Sequence, residues 1–516
     1  MKFWNKIKNF FKRGGREIDM ALNGKILANI TDHPKITIEA DEYQRINENI
    51  RYYSNIYNPV EFINSKMKKR TRQFYPLNIT KTAARRLASI IFNEKCKISI
   101  AALEEGAEES FIEEANELLE EIFQSDNFYN LFESNLEKGI ALGGFAMRPY
   151  VNAEGKIKIT WIRADQFYPL KSNTNEVTEC AIATRTIRVE NDQTIYYTLL
   201  EFHEWIDGTY VITNELYRSE NQNVVGTQIP LERIYPNLAE TVTMYNLSRP
   251  LFVYFKTPGA NNKCLESPLG VGIVDNAKEI LDQINITHDQ FYREIKLGKR
   301  RVLIPEQYIR INENDPERQP YFDDDEDTFI GLRGDSNENK SITDLTVQIR
   351  TVQYKDALQH LIREFEVQIG LSTGAMTYAN DGVKTATEIV SNNSMTYQTR
   401  SSYLTMVEKA INELVHSIFE LASYKEFFPN RKELCNIESN SYCVDVFFDD
   451  GVFVDKDKQL EDDLKVAVAG MMPKKEFLKR NYGLSDTEAD EWISQLISEM
   501  PGNGNNTENA FFDEGD

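Results

Sequence analysis

Apolar residues recur at helical spacing on both sides of a polar loop between Thr351 and Tyr424, and the chain is organised around this stretch. Tyr354, Leu358, Leu361, Phe365 and Ile369 fall three to four residues apart, which predicts a helix over residues 351–369. Gly370 follows, where a C-terminal cap belongs. Leu371 to Gly382 is a mostly polar loop with Gly374 and Gly382 as breaks. Thr385-Ala386-Thr387-Glu388 then offers a capping box. The helix it opens carries Ile389, Val390, Leu404, Val407, Ile411, Leu414, Val415, Ile418 and Phe419 with no Gly or Pro. Such a helix would span on the order of 50–60 Å. Its first half, Ser391-Asn392-Asn393-Ser394 and Thr396 to Ser402, is polar on nearly every face. Ser, Asn and Thr side chains compete for the backbone. That part therefore needs neighbours in order to fold, copies of itself included, and is a candidate kink.

Upstream, the same reading predicts helices over residues 41–57, 80–92, 107–123 and 127–141. Gly143-Gly144 breaks the last of these, and a hairpin follows: Phe145–Val151, the turn Asn152-Ala153-Glu154-Gly155, and Lys156–Ile162. Ala181–Val189, Thr194–Trp205 and Thr209–Tyr217 alternate as strands, with Asn191-Asp192 and Asp207-Gly208 as turns. Leu251–Lys256 is a further strand. Ser267-Pro268 marks a helix start, and Ile273, Val274, Ala277, Ile280, Leu281, Ile284, His288, Phe291 and Ile295 form its apolar face to Gly298. Lys296, Lys299, Arg300 and Arg301 crowd the C-terminal end, where the helix dipole favours cations. About fifty residues of short strands and acidic loop follow, with strands at Arg301–Ile304 and Leu345-Val347-Ile349 around Asp323-Asp324-Asp325-Glu326-Asp327. Near the end, Val444–Phe448 reads as a strand and 457–469, 474–482 and the stretch after Ser485 as helices; a polar tail without folding signal begins at Pro501.

The run Gly370-Leu371-Ser372-Thr373-Gly374, then Asp381-Gly382-Val383-Lys384-Thr385-Ala386-Thr387-Glu388-Ile389, then a long Ser/Asn/Thr-rich helix, resembles the portal proteins of tailed bacteriophages. The likeness is closest to those of long-tailed phages of Gram-positive hosts. Gly143-Gly144 with its hairpin, and Ala164-Asp165-Gln166-Phe167-Tyr168-Pro169, resemble the portal wing. The resemblance implies an α+β fold divided into an N-terminal arm and wing (1–265), a first stem helix (266–298), a clip (299–349), a second stem helix (350–370), a tunnel loop (371–384), a kinked helix with wing strands (385–450), and a crown with an acidic, disordered tail (451–516). It further implies a homododecameric ring, a head-tail connector at one capsid vertex, through which double-stranded DNA passes during packaging and ejection. The partners it implies are the chain itself, the large terminase subunit, a head-completion or adaptor protein, and the major capsid and scaffold proteins. Assembly would occur in the host cytoplasm before incorporation into the virion. Tunnel-loop residues facing DNA would be Ser372, Thr373, Met376, Thr377, Tyr378, Asn380, Asp381 and Lys384.

Charge sharpens this picture. The formal net charge is −22, yet residues 1–100 hold 20 basic and 9 acidic residues, a net of +11, against −33 for the rest. Tight DNA binding rests on phosphate neutralisation, so stable gripping of DNA is disfavoured, whereas loose enclosure by an acidic wall is not. Basic groups cluster at Lys66–Arg72 and at Lys81, Arg85 and Arg86, without interleaved stacking aromatics, which favours solvated faces or an acidic partner over nucleic acid. Residues 1–13 are amphipathic, with Trp4, Ile7, Phe10 and Phe11 on one face; a docking arm fits better than a membrane-surface helix, since one short basic helix binds membranes weakly. No stable membrane binding is expected.

Candidate chemistry is sparse. Gly370–Gly374 matches GxSxG, which leaves a serine hydrolase using Ser372 as an alternative, but a nucleophile elbow needs a strand before it and a helix directly after. Asp323–Asp327 lacks the glycine of a calcium loop, because Thr328 stands in its place. Leu269-Gly270-Val271-Gly272 is too little for a dinucleotide loop, and no P-loop or HExxH occurs. His288 on an apolar stripe reads as a hydrogen-bonded core histidine. The five cysteines, an odd number without a CxxC pair, read as free thiols. No enzyme activity, cofactor or metal is expected.

Overall fold

The computed structural model describes residues 26–63, 67–103, 109–173, 176–298, 302–303, 310–311, 320–321, 343–344, 348–376, 394–428, 433–435, 437, 441–448, 456–482, 489 and 492–495. The chain divides into two compact units, the first comprising Met1–Ile46, Ala84–Gly272 and Asn380–Asp516, the second Asn47–Ala83 and Ile273–Ala379. Helices and strands are mixed, and all described strand pairs are antiparallel, as α+β implies.

In the first unit, a meander of Phe167–Ser172, Val177–Glu190, Gln193–Ile206 and Thr209–Ser219 makes the main sheet. The far edge of the last strand is shared by Gly226–Ile229 and Thr241–Met244. The two tight turns are those the sequence marks: Asn191 and Asp192 have φ of 50° and 61°, Asp207 and Gly208 have 49° and 76°. Positive φ at both central residues is the turn geometry that matches strand twist. Under this sheet, Ile195, Tyr197, Leu216, Leu231 and Ile234 form one buried cluster.

A second, three-stranded sheet joins Val253–Lys256, Gly144–Val151 and Ile157–Arg163. The helix Phe128–Leu142 lies on it through Phe128 and Phe132, whose rings meet Trp161 at 5.6 and 6.0 Å. Each fully buried aromatic contributes about 1.5–3 kcal/mol. The chain turns from helix to strand through Gly143 at φ +104°, and here the backbone of Gly270 approaches. A Cβ on Gly270 would lie 1.9 Å from the Gly143 carbonyl oxygen. The Leu269–Gly272 motif thus serves backbone packing. Ser267 is not a helix cap: its hydroxyl donates to Glu42 at 2.8 Å and accepts the Leu269 N–H at 3.2 Å. The helix expected from this point begins later, at Lys278.

The long helix is continuous over Ser394–Ala422 and buries Val407, Ile411, Leu414, Val415, Ile418 and Phe419 against Val253–Lys256, Gly144–Val151 and Tyr442–Phe447. Its expected start at Thr385 lies outside the described residues. Its polar first half finds partners within the chain: Thr396 and Arg400 are buried, and Arg400 Nε donates to the Ile90 carbonyl at 2.6 Å. The segment is thereby tied to Ile90, at the end of the helix Ile79–Ile91, a contact that the sequence pattern did not foretell. Tyr442–Phe447 pairs with Lys97–Ala102, bringing distant parts of the chain into one ladder.

The second unit is built on two antiparallel helices, Lys278–Leu297 and Thr351–Gln368. The first has 20 residues, about 30 Å. Glu294 receives the Arg350 guanidinium in a fork at 3.0 and 2.6 Å at one end of the pair; at the other, Gln368 donates to the Asn276 carbonyl at 2.7 Å. The buried face of Lys278–Leu297 is half polar: Leu281 and Ile284 share it with Asn285 and Asp289, while Ile295 is exposed. A row of polar groups on this helix holds the segment 52–77. Tyr52 donates to Asp282 at 2.9 Å, Asn285 bridges Tyr57 and the Leu77 N–H, and Arg72 forks onto Asp289. His288 donates from Nδ1 to the Tyr75 carbonyl at 2.8 Å, the hydrogen bond that was expected, but it is half-buried and not a core residue. Arg72 belongs to the hairpin Val60–Ile63 with Lys69–Arg72. Of the acidic insertion, Val302–Leu303 pairs with Thr343–Asp344, and Arg310–Ile311 with Pro320–Tyr321, so the return strand precedes the Leu345–Ile349 position expected for it.

Candidate functional site

The loop predicted to carry function leaves the helix Thr351–Gln368 through a complete C-terminal cap. Gly370 sits at φ +78°, its N–H donates to the Val367 carbonyl at 3.1 Å, and the Leu371 N–H donates to the Glu366 carbonyl at 2.8 Å. These are the paired bonds of a Schellman motif. Leu371 is fully buried beyond it, as a hydrophobic closing contact requires.

The next turn is held by a side chain that the sequence reading passed over. Glu366 is fully buried, and its two carboxylate oxygens each accept one backbone N–H: Oε2 from Gly374 at 2.7 Å, Oε1 from Met376 at 2.5 Å. An acid in the last helical turn opposes the helix dipole, and a buried charge is costly unless hydrogen-bonded. The two amides offset both. The available signal was the oddity of an acid between Phe365 and Val367 at the helix end.

Of the loop residues named from sequence, Ser372, Thr373 and Met376 are brought together in this turn; Ser372 is buried, Thr373 exposed, Met376 half-buried. Thr377, Tyr378, Asn380, Asp381 and Lys384 lie outside the described residues. Lys296 is exposed at the opposite end of the helix pair, beside the Glu294–Arg350 fork. Lys299, Arg300 and Arg301, and the acids Asp323 to Asp327, lie outside the described residues, as do residues 1–25.

Electrostatics in this unit follow from the forks. Hydrogen bonds from Arg350 hold the Glu294 carboxyl at a pKa of about 2. Those from Arg72 pull Asp289 below the usual aspartate value although burial opposes this. A helix, not a strand, precedes Ser372, so the nucleophile-elbow geometry is absent. Among the described residues, no group of three or more His, Cys, Asp or Glu side chains is placed to hold a metal ion. All five cysteines are free. No described helix is long and apolar enough to cross a membrane.

The first unit holds a cleft of about 420 Å³ walled by Trp205, Phe252, Tyr254 and Lys256. Lys409 at its edge is engaged by Glu176 at 3.0 Å and Glu413 at 3.7 Å.

A family model described as phage portal protein, SPP1 Gp6-like, matches residues 32–501. The chain belongs to this portal protein family. A search of curated proteins returns no match. Portal proteins are structural components of the virion capsid and not enzymes, so the hydrolase alternative for Ser372 is set aside. The portal match spans both units and includes the helix pair and the Gly370–Met376 turn.

Proposed function

We propose that this portal protein closes into a homododecameric ring at one capsid vertex and forms the channel for double-stranded DNA during packaging and ejection. The observation that carries the reading is the family match over residues 32–501. The helix pair supports it. Ile286, Ile295 and Leu297 on one helix and Val352 and Val367 on the other are exposed within a single chain, and such residues gain by burial against copies of the same helices. In this reading residues 371–384 form the tunnel loop. Lys384, repeated around the ring, is its cation toward DNA, and the low count of charged groups keeps the channel profile flat for a moving polyanion.

The acidic segment containing Asp323, Asp324, Asp325, Glu326 and Asp327 would lie in the clip and steer basic surfaces of the large terminase subunit or of the adaptor protein. Major capsid and scaffold proteins would meet other faces during assembly in the host cytoplasm. Negative-stain microscopy of purified protein tests the central claim. Rings with a central hole are expected, and a monodisperse monomer at micromolar concentration, with full helicity and cooperative melting, would overturn it.

A further inference from the structure

We infer that Glu366 is the positioning residue of the tunnel loop: its carboxylate fixes the loop root relative to the second stem helix. The inference rests on the channel reading above and adds a residue that the loop's own sequence does not contain. Two separate anchors act at this helix end. The main-chain anchor is the cap, in which the Leu371 N–H meets the Glu366 carbonyl at 2.8 Å. The side-chain anchor is the carboxylate, which reaches past the cap to Gly374 and Met376 at 2.7 and 2.5 Å. Gly374 meets it at φ +94°, a conformation only glycine adopts at low cost.

The chemistry demands a carboxylate. Two N–H donors point at two different oxygens, and both oxygens must accept. Glutamine offers one acceptor oxygen and turns an NH2 toward the other donor, so it can satisfy one amide and repels the second. Hydrogen bonds to a charged acceptor are about twice as strong as neutral ones, and here they lie out of water, since Glu366 is fully buried. Met376 is therefore held at a fixed point relative to the helix pair. In a ring, that point is set identically in every subunit.

The test compares wild-type rings with Glu366→Gln and Glu366→Asp rings, using hydrogen exchange read by mass spectrometry at single-amide resolution and DNA packaged per head. In Glu366→Gln, exchange at Gly374 and Met376 should quicken about ten- to a hundredfold. The Leu371 amide, bound to the main chain, should stay protected. Packaged DNA should fall several-fold, with part of the loss recovered by Glu366→Asp, which keeps both oxygens. Unchanged exchange at Gly374 and Met376 would overturn the inference. So would loss of protection at Leu371 together with them, which would mean that the helix end simply melts, and so would normal packaging by Glu366→Gln rings despite faster exchange. Lys384→Glu run in parallel reports on the channel reading itself; normal packaging there would count against that reading whatever Glu366 does.

Discussion

Arg72 and Asp289 meet in a two-pronged ion pair, with guanidinium nitrogens 2.7 and 2.6 Å from the two carboxylate oxygens. Asp289 is almost wholly buried and also accepts the Tyr75 N–H at 3.2 Å. The most prominent basic run near the start of the chain thus spends its last arginine on an internal contact. Arg72→Ala would strand a buried carboxylate and should destabilise the protein by about 2–3 kcal/mol. Arg72→Lys should recover less than half of that, because an ammonium cannot fork. Urea unfolding of the three proteins decides it; equal midpoints for wild type and Arg72→Ala would refute the assignment.

Acid should loosen the second unit in a defined window. Asp289 and Glu294 both have pKa values held below their ordinary range by arginine partners, Glu294 at about 2. A carboxylate with a depressed folded pKa contributes stability above its unfolded value and loses it as pH falls through the folded one. The contribution of these two carboxylates to the melting temperature should therefore be flat from neutrality to about pH 5 and drop between ~4.5 and ~2. Asp289→Asn, already destabilised, should show a shallower drop. A slope equal to wild type would sink the assignment.

His416 gives the first unit a separate window. Burial, then the nearby Arg249 charge, lowers its pKa to about 4, and its Nδ1 lies 2.5 Å from the Tyr442 hydroxyl. Lys409, Glu408 and Glu413 line the same surface. A histidine kept neutral in the fold contributes fully above ~6.5, and that contribution is lost as pH falls toward about 4. Differential scanning calorimetry between pH 7 and 4 should show stability declining in wild type and declining less in His416→Phe.

Gly270→Ala should be among the most damaging single changes in the first unit. The added methyl would stand 1.9 Å from the Gly143 carbonyl oxygen, a backbone atom that cannot swing away. Overpacking of this kind costs about 3 kcal/mol. Soluble yield and thermal melting check it, with Gly208→Ala, where no atom lies within 4 Å of the added carbon, as the control for φ alone.

Ser372→Ala should leave packaging nearly intact. Ser372 is buried in the cap turn of a structural protein and is preceded by a helix. DNA packaged per head, measured for this variant, should match wild type; a dead variant would reopen a direct role for the hydroxyl.

The sequence by itself determined the elements whose cause is local. The strands flanking Asn191-Asp192 and Asp207-Gly208, the helix ending at Gly370, and the helix–Gly-Gly–hairpin near residue 143 were legible because turn residues and periodicity act over a few positions. The portal resemblance was legible from the loop and the long polar helix, which the family match bears out. Tertiary structure decided what depends on partners far away in sequence. Ser267-Pro268 looked like a helix start, yet Glu42 takes the Ser267 hydroxyl and Gly270 passes close by Gly143, and the helix begins only at Lys278. Arg400 lies in the polar segment that needed neighbours, and Ile90 supplies one as a carbonyl. Asp282, Asn285 and Asp289 stand outside the apolar face read from the sequence, because periodicity registers apolar faces and cannot register a row of hydrogen bonds. Glu366 was silent for the same reason: its two acceptor oxygens matter only once the chain has turned back to bring the amides of Gly374 and Met376 within reach.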